Sequence, residues 1–455
     1  MKIRDLKKSI ADGDLDTAFA ARCGIPRDVM DREPQRDSRL DLVMAACHTK
    51  MDRYRIRALR CALLFSQHYD PDSAREVSLL SVSGRSEISG NHTDHNYGRV
   101  IAAAVSLDVL AVAAPREDGV VRIFSEGVGE DTLFPEEIAT PDPAHFFTSR
   151  AIIAGMERAF LDAGYRVGGF DAVTVSSVLK GSGLSSSAAF EVMVGNILNH
   201  LYNGGRVSNV EIAKMAQYAE NVYFGKPCGL MDQTACAVGG LVAIDFADPA
   251  APVIEKLDFD LSGAGFALCI TDTGGNHADL NEDYASVPAE MKSVAAALGQ
   301  QVLRPLTKAD IVKNIPVLRE SCGDRAVLRA LHFVAENERV EKQCAALRRG
   351  DVDTFFTLVR QSGDSSYRYL QNVYTTKNVA EQGLSLALCL TESYLTDHVG
   401  DRCAWRVHGG GFAGTIQAFV PHDAADDYAR FMEGVFGAGS VHVLQIRPEG
   451  AIRLA

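Results

Sequence analysis

Four polar clusters hold the residues of this chain able to do chemistry. The first is Gly181-Ser182-Gly183-Leu184-Ser185-Ser186-Ser187-Ala188-Ala189. It lies where a strand-like segment, Phe170 to Val178, gives way to a helix marked by Phe190, Val194, Ile197, Leu198 and Leu201. The glycines permit close backbone approach. The unpaired amides and positive dipole end of the helix face whatever binds there. A polyphosphate suits such a nest, and an ordinary capped turn is the competing reading. It is not a Walker A loop, because no Gly-Lys-Ser/Thr follows, and a dinucleotide fingerprint would need a third glycine.

The second cluster is Gly84-Arg85-Ser86-Glu87-Ile88-Ser89-Gly90-Asn91-His92-Thr93-Asp94-His95-Asn96. Its mixture of donors and acceptors suits a polyhydroxylated ligand and can reject the wrong hydroxyl epimer. A solvated turn, or a metal site on His92, Asp94 and His95, are the alternatives. The third runs from Glu220 through Lys226-Pro227-Cys228-Gly229-Leu230-Met231 to Asp232-Gln233, after a helix over Val210 to Ala219. Glu220 could hold Mg²⁺, and Asp232 could accept a proton or orient a hydroxyl. On spacing alone they read equally as unrelated surface charges. The fourth, His408-Gly409-Gly410-Gly411-Phe412-Ala413-Gly414, has the look of a hydrolase oxyanion loop. That chemistry expects a later G-x-S-x-G elbow, which is absent.

The elements that must position these clusters mix helix and strand without regular βαβ periodicity, which predicts an α+β architecture. Strands are expected over Val77 to Val82, over Val100 to Val112 with a turn inside, and over Gly265 to Thr271. A long helix starts near Arg325 and stops at Gly350, and an apolar strand from Val441 to Ile446 closes the chain. Loops are expected around Arg116–Gly119 and Thr140–Pro143, and Asp248-Pro249-Ala250-Ala251-Pro252 reads as a hinge. This gives a helical N-terminal extension over 1–55, an N-terminal domain over 56–248 and a C-terminal domain over 249–455. The extension shows no chemistry of its own.

With 455 residues the chain can build two or three cores, and its net charge of −13 argues against a nucleic-acid footprint. The ten cysteines form no C-x-x-C pair, which points to free thiols in a reducing compartment. No apolar run approaches membrane-spanning length, and the N-terminus carries no apolar leader, so the expected location is the cytoplasm.

In this order the four clusters resemble the galactokinase family, within the wider group of galactose, homoserine, mevalonate and phosphomevalonate kinases. Residues 84–95 follow that family's G-R-x-N-[LIV]-I-G-E-H-x-D-Y in most positions, and residues 181–188 meet its G-x-G-L-S-S-S-A in full. Cys228 to Gln233 nearly match C-G-I-M-D-Q, and residues 409–414 match the glycine-rich C-terminal motif. Asp272-Thr273-Gly274 with His277 and Tyr284, and Glu336 to Val340, also look like the family. The likeness covers about residues 60 to 455. Departures fall at Glu87, Ser89, Asn91, His95, Leu179 and Ala413.

The resemblance implies a two-domain kinase fold with its active site in the cleft between the domains. It implies transfer of the ATP γ-phosphoryl group to the anomeric C1 hydroxyl of galactose, giving galactose 1-phosphate and ADP. Asp232 would be the catalytic carboxylate, with Arg85 beside it and the transferring group. Gly181, Ser182, Gly183, Leu184, Ser185, Ser186, Ser187 and Ala188 would bind ATP, and Ser187 with Glu220 would hold Mg²⁺. Asn91, His92, Asp94, Gly229 and Tyr284 would hold the sugar. Asn91 stands where the family has a glutamate that accepts a bond from the C6 hydroxyl. An asparagine tolerates a C6 carboxylate, which opens a galacturonate or other galactose-derivative kinase as the alternative. A non-catalytic sugar sensor is the third reading, against which stand the intact serine loop and Asp232. Oligomeric state is left open.

Overall fold

The computed structural model describes residues 1–27, 49–178, 184–226, 228–275 and 280–455. Its first sheet is built on two long strands, β1 (Ser78–Ser89) and β2 (Arg99–Pro115), paired antiparallel. β3 (Val121–Ser125) and β4 (Gly129–Leu133) form a hairpin, and β5 (Phe170–Ser176) lies between β2 and β3. β6 (Leu241–Asp245) pairs with residues 99–103 of β2, and β7 (Val253–Leu257) pairs with β6. The second sheet holds β8 (Phe266–Asp272), β9 (Ala404–Val407), β10 (Thr415–Pro421) and β11 (Val441–Leu444) in the antiparallel order β11-β8-β10-β9. A final strand, β12 (Ile452–Arg453), returns to the first sheet beside β1.

Three expectations are corrected. No turn interrupts β2. Pairing instead jumps from Ser83 opposite Asp108 to Gly84 opposite Val105, so Ser106 and Leu107 form a bulge that bends the strand. Residues 248–252 are the turn of the β6–β7 hairpin, not a hinge. The strand beginning at Val441 is not the last, because β12 follows it.

The first sheet is covered on both faces. α1 (Ile3–Ala11), α2 (Asp16–Cys23) and α3 (Lys50–Tyr69) cover one, α3 running through the boundary expected at residue 55. α4 (Ser149–Asp162), α5 (Ser186–Tyr202), α6 (Asn209–Tyr218) and α7 (Met231–Val238) cover the other. The period of two along β2 divides its side chains between them. Leu110, Val112 and Ala114 face the N-terminal helices, while Val109, Ala111 and Ala113 face the other layer.

After β8 come α8 (Asn281–Ala297), the short α9 (Lys308–Lys313) and α10 (Ile315–Ser321), the long α11 (Asp324–Arg348), and α12 (Val352–Ser365). α13 (Gly383–His398) and α14 (His422–Phe436) pack on the second sheet through Leu384, Leu395, Tyr428 and Met432.

A buried charge cluster fixes the N-terminal layer to the sheet. Asp108 of β2, 0% exposed, accepts from Tyr54 Oη at 2.7 Å, Arg57 Nη2 at 2.9 Å and Arg447 Nη1 at 3.1 Å. Burial works to raise the Asp108 pKa, but the two guanidiniums and the hydroxyls outweigh it and hold the carboxyl below its ordinary value. The cluster therefore stabilises the fold above the unfolded carboxyl pKa of about 4, and that contribution is lost as pH falls through the folded value. Asp108→Asn leaves Arg447, itself 0% exposed, short of its counter-charge. The expected cost is about 3–5 kcal/mol, read from the urea midpoint at pH 7. An unchanged midpoint would deny the cluster its anchoring role.

Candidate active site

Arg85 of β1 grips Asp232 through two parallel bonds, Nε to Oδ1 at 2.7 Å and Nη2 to Oδ2 at 2.7 Å. Asp232 lies in the first turn of α7, where the helix dipole favours a carboxylate. A short hydrogen bond from the Ser185 hydroxyl also reaches Asp232 Oδ2. Burial works to raise the Asp232 pKa, yet Arg85 and Ser185 hold it below its ordinary value. Asp232 is thus an anion at neutral pH. Its side chain stays 32% exposed while that of Arg85 is 9% exposed, so the acceptor opens outward and its partner does not.

Ser185 precedes α5 in a left-handed backbone conformation, φ 56° and ψ 62°. Its side chain serves Asp232 rather than the helix, and among the described residues no side chain caps α5. Among the described residues nothing takes up the first-turn amides of Ser186, Ser187 and Ala188, the groups with which a helix N-terminus can meet an anion. Leu184 is buried, and its carbonyl accepts from the Arg85 amide at 3.2 Å. Gly84 makes this approach possible, since a Cβ there would stand 3.2 Å from the same carbonyl oxygen. Gly181, Ser182, Gly183 and His277 lie outside the described residues.

α6 runs into a π-helical turn, Ala219–Phe224, a form that recurs at functional sites. The turn carries Glu220, 2% exposed, whose Oε1 meets Lys226 Nζ at 3.0 Å. Gln233 Nε2 donates to Glu220 Oε2 at 2.8 Å and to Glu191 Oε2 at 3.0 Å, bridging two buried carboxylates. Burial, helped by Glu220, pushes the Glu191 pKa well up. Among the described residues Glu191 Oε1 and Gln233 Oε1 are buried without a hydrogen-bond partner. Ser187, four residues before Glu191 on α5, shares its helix face. Hydroxyl, carboxylate and carboxamide oxygens together suit Mg²⁺ better than a softer ion.

The metal reading of His92, Asp94 and His95 finds no support. Among the described residues no group of three or more His, Cys, Asp and Glu gathers to hold an ion. His92 Nε2–H donates to the Gly410 carbonyl at 2.9 Å, and His95 is exposed. Burial lowers the His92 pKa to about 4, keeping the ring neutral.

Asp94, in a short 3₁₀ turn, is half-buried beside Gly229, where a Cβ would come within 2.9 Å of Asp94 Oδ2. Tyr284 of α8 donates to the Gly411 carbonyl at 2.6 Å and meets Phe412 edge to face at 5.3 Å. Burial raises the Tyr284 pKa to about 12, so it remains a donor. Gly411 has φ 84°, and a Cβ would fall 1.9 Å from the Asn372 carbonyl oxygen, which leaves no room for another residue. Glu336 of α11 steadies the 84–96 segment by accepting from Ser89 Oγ and the Gly90 amide, each at 3.1 Å.

The fold therefore brings Arg85, Ser185 and Asp232 into contact, joins Glu220 to Gln233, and sets Gly229 against Asp94. Asn91, His92 and Tyr284 all bond to the Gly409–Gly411 loop. Sequence reasoning passed over Glu191, although its four-residue spacing from Ser187 marked it. It gave no role to His408, whose buried Nε2 has no partner among the described residues and whose pKa falls to about 3 through burial, Arg85 and Arg406. Asn372 and Arg406 carried no local signal.

An ionised carboxylate held by arginine beside a helix N-terminus is compatible with phosphoryl transfer, and the comparisons with known proteins point to a kinase family. Residues 150–240 match the family described as "GHMP kinases N terminal domain", which puts the chain in the GHMP class of small-molecule kinases. Residues 64–115 match "Galactokinase galactose-binding signature". The galactokinase of Streptomyces coelicolor is 32% identical over 375 residues, covering 81% of this chain and 91% of that protein. Human galactokinase is 30% identical over 385 residues, covering 82% and 91%. A structure of Lactococcus lactis galactokinase complexed with galactose superposes with a TM-score of 0.71 at 25% identity, over 86% of this chain and 98% of that one. The chain belongs to the galactokinase family.

Gly229→Ala tests the Asp94 contact. The added methyl must displace a side-chain oxygen rather than backbone, so the thermal midpoint should hold. The KM for sugar should rise about tenfold while the KM for ATP stays put. An unchanged sugar KM would separate Gly229 and Asp94 from sugar binding.

Proposed function

We propose that this chain transfers the γ-phosphoryl group of ATP to the anomeric C1 hydroxyl of galactose. The observation that carries this reading is Asp232, kept ionised by Arg85 and Ser185, next to the uncapped N-terminus of α5. In the proposed arrangement the α5 amides and the serine run before them cradle the phosphates, and Asp94, His92, Gly229 and Tyr284 line the sugar side. Asp232 receives the hydroxyl proton or orients the hydroxyl for in-line attack. Arg85, already paired, keeps Asp232 basic and offsets charge growing on the transferring group. Positioning carries most of the catalysis.

Ser187 and Glu220, with Glu191 and Gln233 behind them, would hold Mg²⁺, which bridges and neutralises ATP phosphates when bound. Lys226 would then give up its contact with Glu220. The first sheet with its helices would supply the phosphate side, and α8, α11 and the second sheet would close the sugar side. Among the described residues no helix is long and apolar enough to cross a membrane. The described cysteines are free thiols, in keeping with a reducing compartment such as the cytoplasm.

The test is ADP release with ATP and Mg²⁺ across galactose, galacturonate, galactosamine, arabinose and glucose. Galactose should give the highest kcat/KM. Absence of ADP with every sugar would favour a non-catalytic sensor. Asp232→Asn should keep the thermal midpoint within a few degrees and lower kcat about 10²–10⁴-fold. Near-normal turnover would remove Asp232 from the reaction.

A further inference from the structure

Asn91 has nothing left to offer a ligand. It is 0% exposed, and its Nδ2 donates to Glu87 Oε1 at 3.0 Å and to the Gly409 carbonyl at 2.8 Å. Its Oδ1 accepts from Asn372 Nδ2 at 2.7 Å and from Ser366 Oγ at 3.3 Å. A carboxamide has two donor hydrogens and two acceptor lone pairs, and all four are committed inside the protein.

Its partner Glu87 is differently placed. Oε1 receives Asn91 and Arg406 Nη2, the latter at 3.3 Å, whereas no described residue donates to Oε2, which is not sealed from solvent. Glu87 follows Arg85 by two residues in an unbroken stretch of β1, with Arg85 opposite Ala104 and Glu87 opposite Ala102. The two side chains therefore project from the same face, and on that face Arg85 holds Asp232. Burial raises the Glu87 pKa above its ordinary value, while Arg406, the Asn91 hydrogen bond and Arg85 all favour the carboxylate. Gln417 Nε2 pins the Glu87 carbonyl at 2.9 Å, so the side chain leaves a fixed backbone.

We infer that Glu87 takes the sugar-binding part expected of Asn91, alongside His92 and Asp94 of the same segment. Its free oxygen accepts a hydrogen bond from one sugar hydroxyl, and its charge excludes sugars carrying a carboxylate. Asn91 and Arg406 are positioning residues that fix the other oxygen. This assignment rests on the proposed sugar-kinase reading and narrows it to neutral sugars, closing the route to uronic acids that Asn91 alone had opened.

The experiment is calorimetric titration of the full chain with galactose, its 2-, 3-, 4- and 6-deoxy analogues, and galacturonate. It is run on wild type, Glu87→Gln and Glu87→Asp, with KM for ATP and thermal midpoint measured alongside. Wild type should bind one deoxy analogue about tenfold or more worse than galactose, the amount expected for a bond to a charged acceptor. Glu87→Gln should lose most of that discrimination, keep it against the other analogues, and gain measurable galacturonate binding. Glu87→Asp keeps the charge but withdraws the oxygen, so galactose should weaken while galacturonate stays rejected. KM for ATP should move less than about twofold in both, which a general loss of structure would not allow. Unaltered discrimination in Glu87→Gln, or galacturonate bound by wild type as well as galactose, overturns the assignment. Wild type binding no sugar at all would instead bring down the kinase reading itself.

Discussion

The site depends on keeping one partly buried carboxylate charged. A lone buried carboxylate escapes its desolvation penalty by taking up a proton, which would leave Asp232 unable to receive one. The Arg85 fork removes that escape. It supplies a charge that is itself nearly buried, so the attraction is little screened by solvent. Much of the local structure follows from holding the two groups together. β1 must run straight enough to aim Arg85, α7 must start where Asp232 meets its dipole, and Ser185 must turn into a left-handed conformation to complete the set. That conformation costs of the order of 1 kcal/mol or more, and the surrounding packing has to sustain it.

Around this pair the other acidic groups are managed individually. Glu220 is paired with Lys226, Glu191 is pushed toward its protonated form, and Gln233 donates to both. Among the described residues the Glu191 and Gln233 Oε1 atoms stay without a hydrogen-bond donor. The groups around the Gly409–Gly411 loop are organised differently, by neutral contacts to backbone. Asn91, His92, Tyr284 and Asn372 all bond to carbonyls of the Gly409–Gly411 loop, so the loop forms a common wall rather than a flexible lid. The tight fit of Gly411 against Asn372 shows how little the wall can move without steric conflict.

The chemistry was more legible in the sequence than the architecture was. Arg85, Ser185, Glu220 and Asp232 sit in dense local runs, and the physics that marks them, close backbone approach and helix-end polarity, is local too. The misread elements depended on pairing between distant segments. Asp248 to Pro252 carries the same turn residues whether it links domains or closes a hairpin, and only the pairing of β6 with β7 decides. The bend in β2 has no glycine or proline to announce it, because Ser106 and Leu107 bulge in response to the register on β1. Asn91 was taken for a ligand contact because residues such as Ser366 and Asn372, which consume its bonding capacity, lie more than 270 positions further along the chain. Nothing near Asn91 could report them.

The extension expected over residues 1–55 looked like an appendage, and its described helices instead belong to one of the two coverings of the first sheet. Arg22 of α2 forks onto Glu449 at 2.9 Å, and Phe19, Tyr54 and Phe65 lie in the same cluster as Leu110, Val112, Val173 and Ile452. This layer joins parts of the chain that are synthesised far apart. Contacts of such long sequence separation form late and slow the search for the native state. Until they form, an apolar sheet face stands open, and a partly folded chain of this kind can stick to its neighbours. The layer thus bears on how much of the protein reaches its folded form, separately from anything the active site does once assembled.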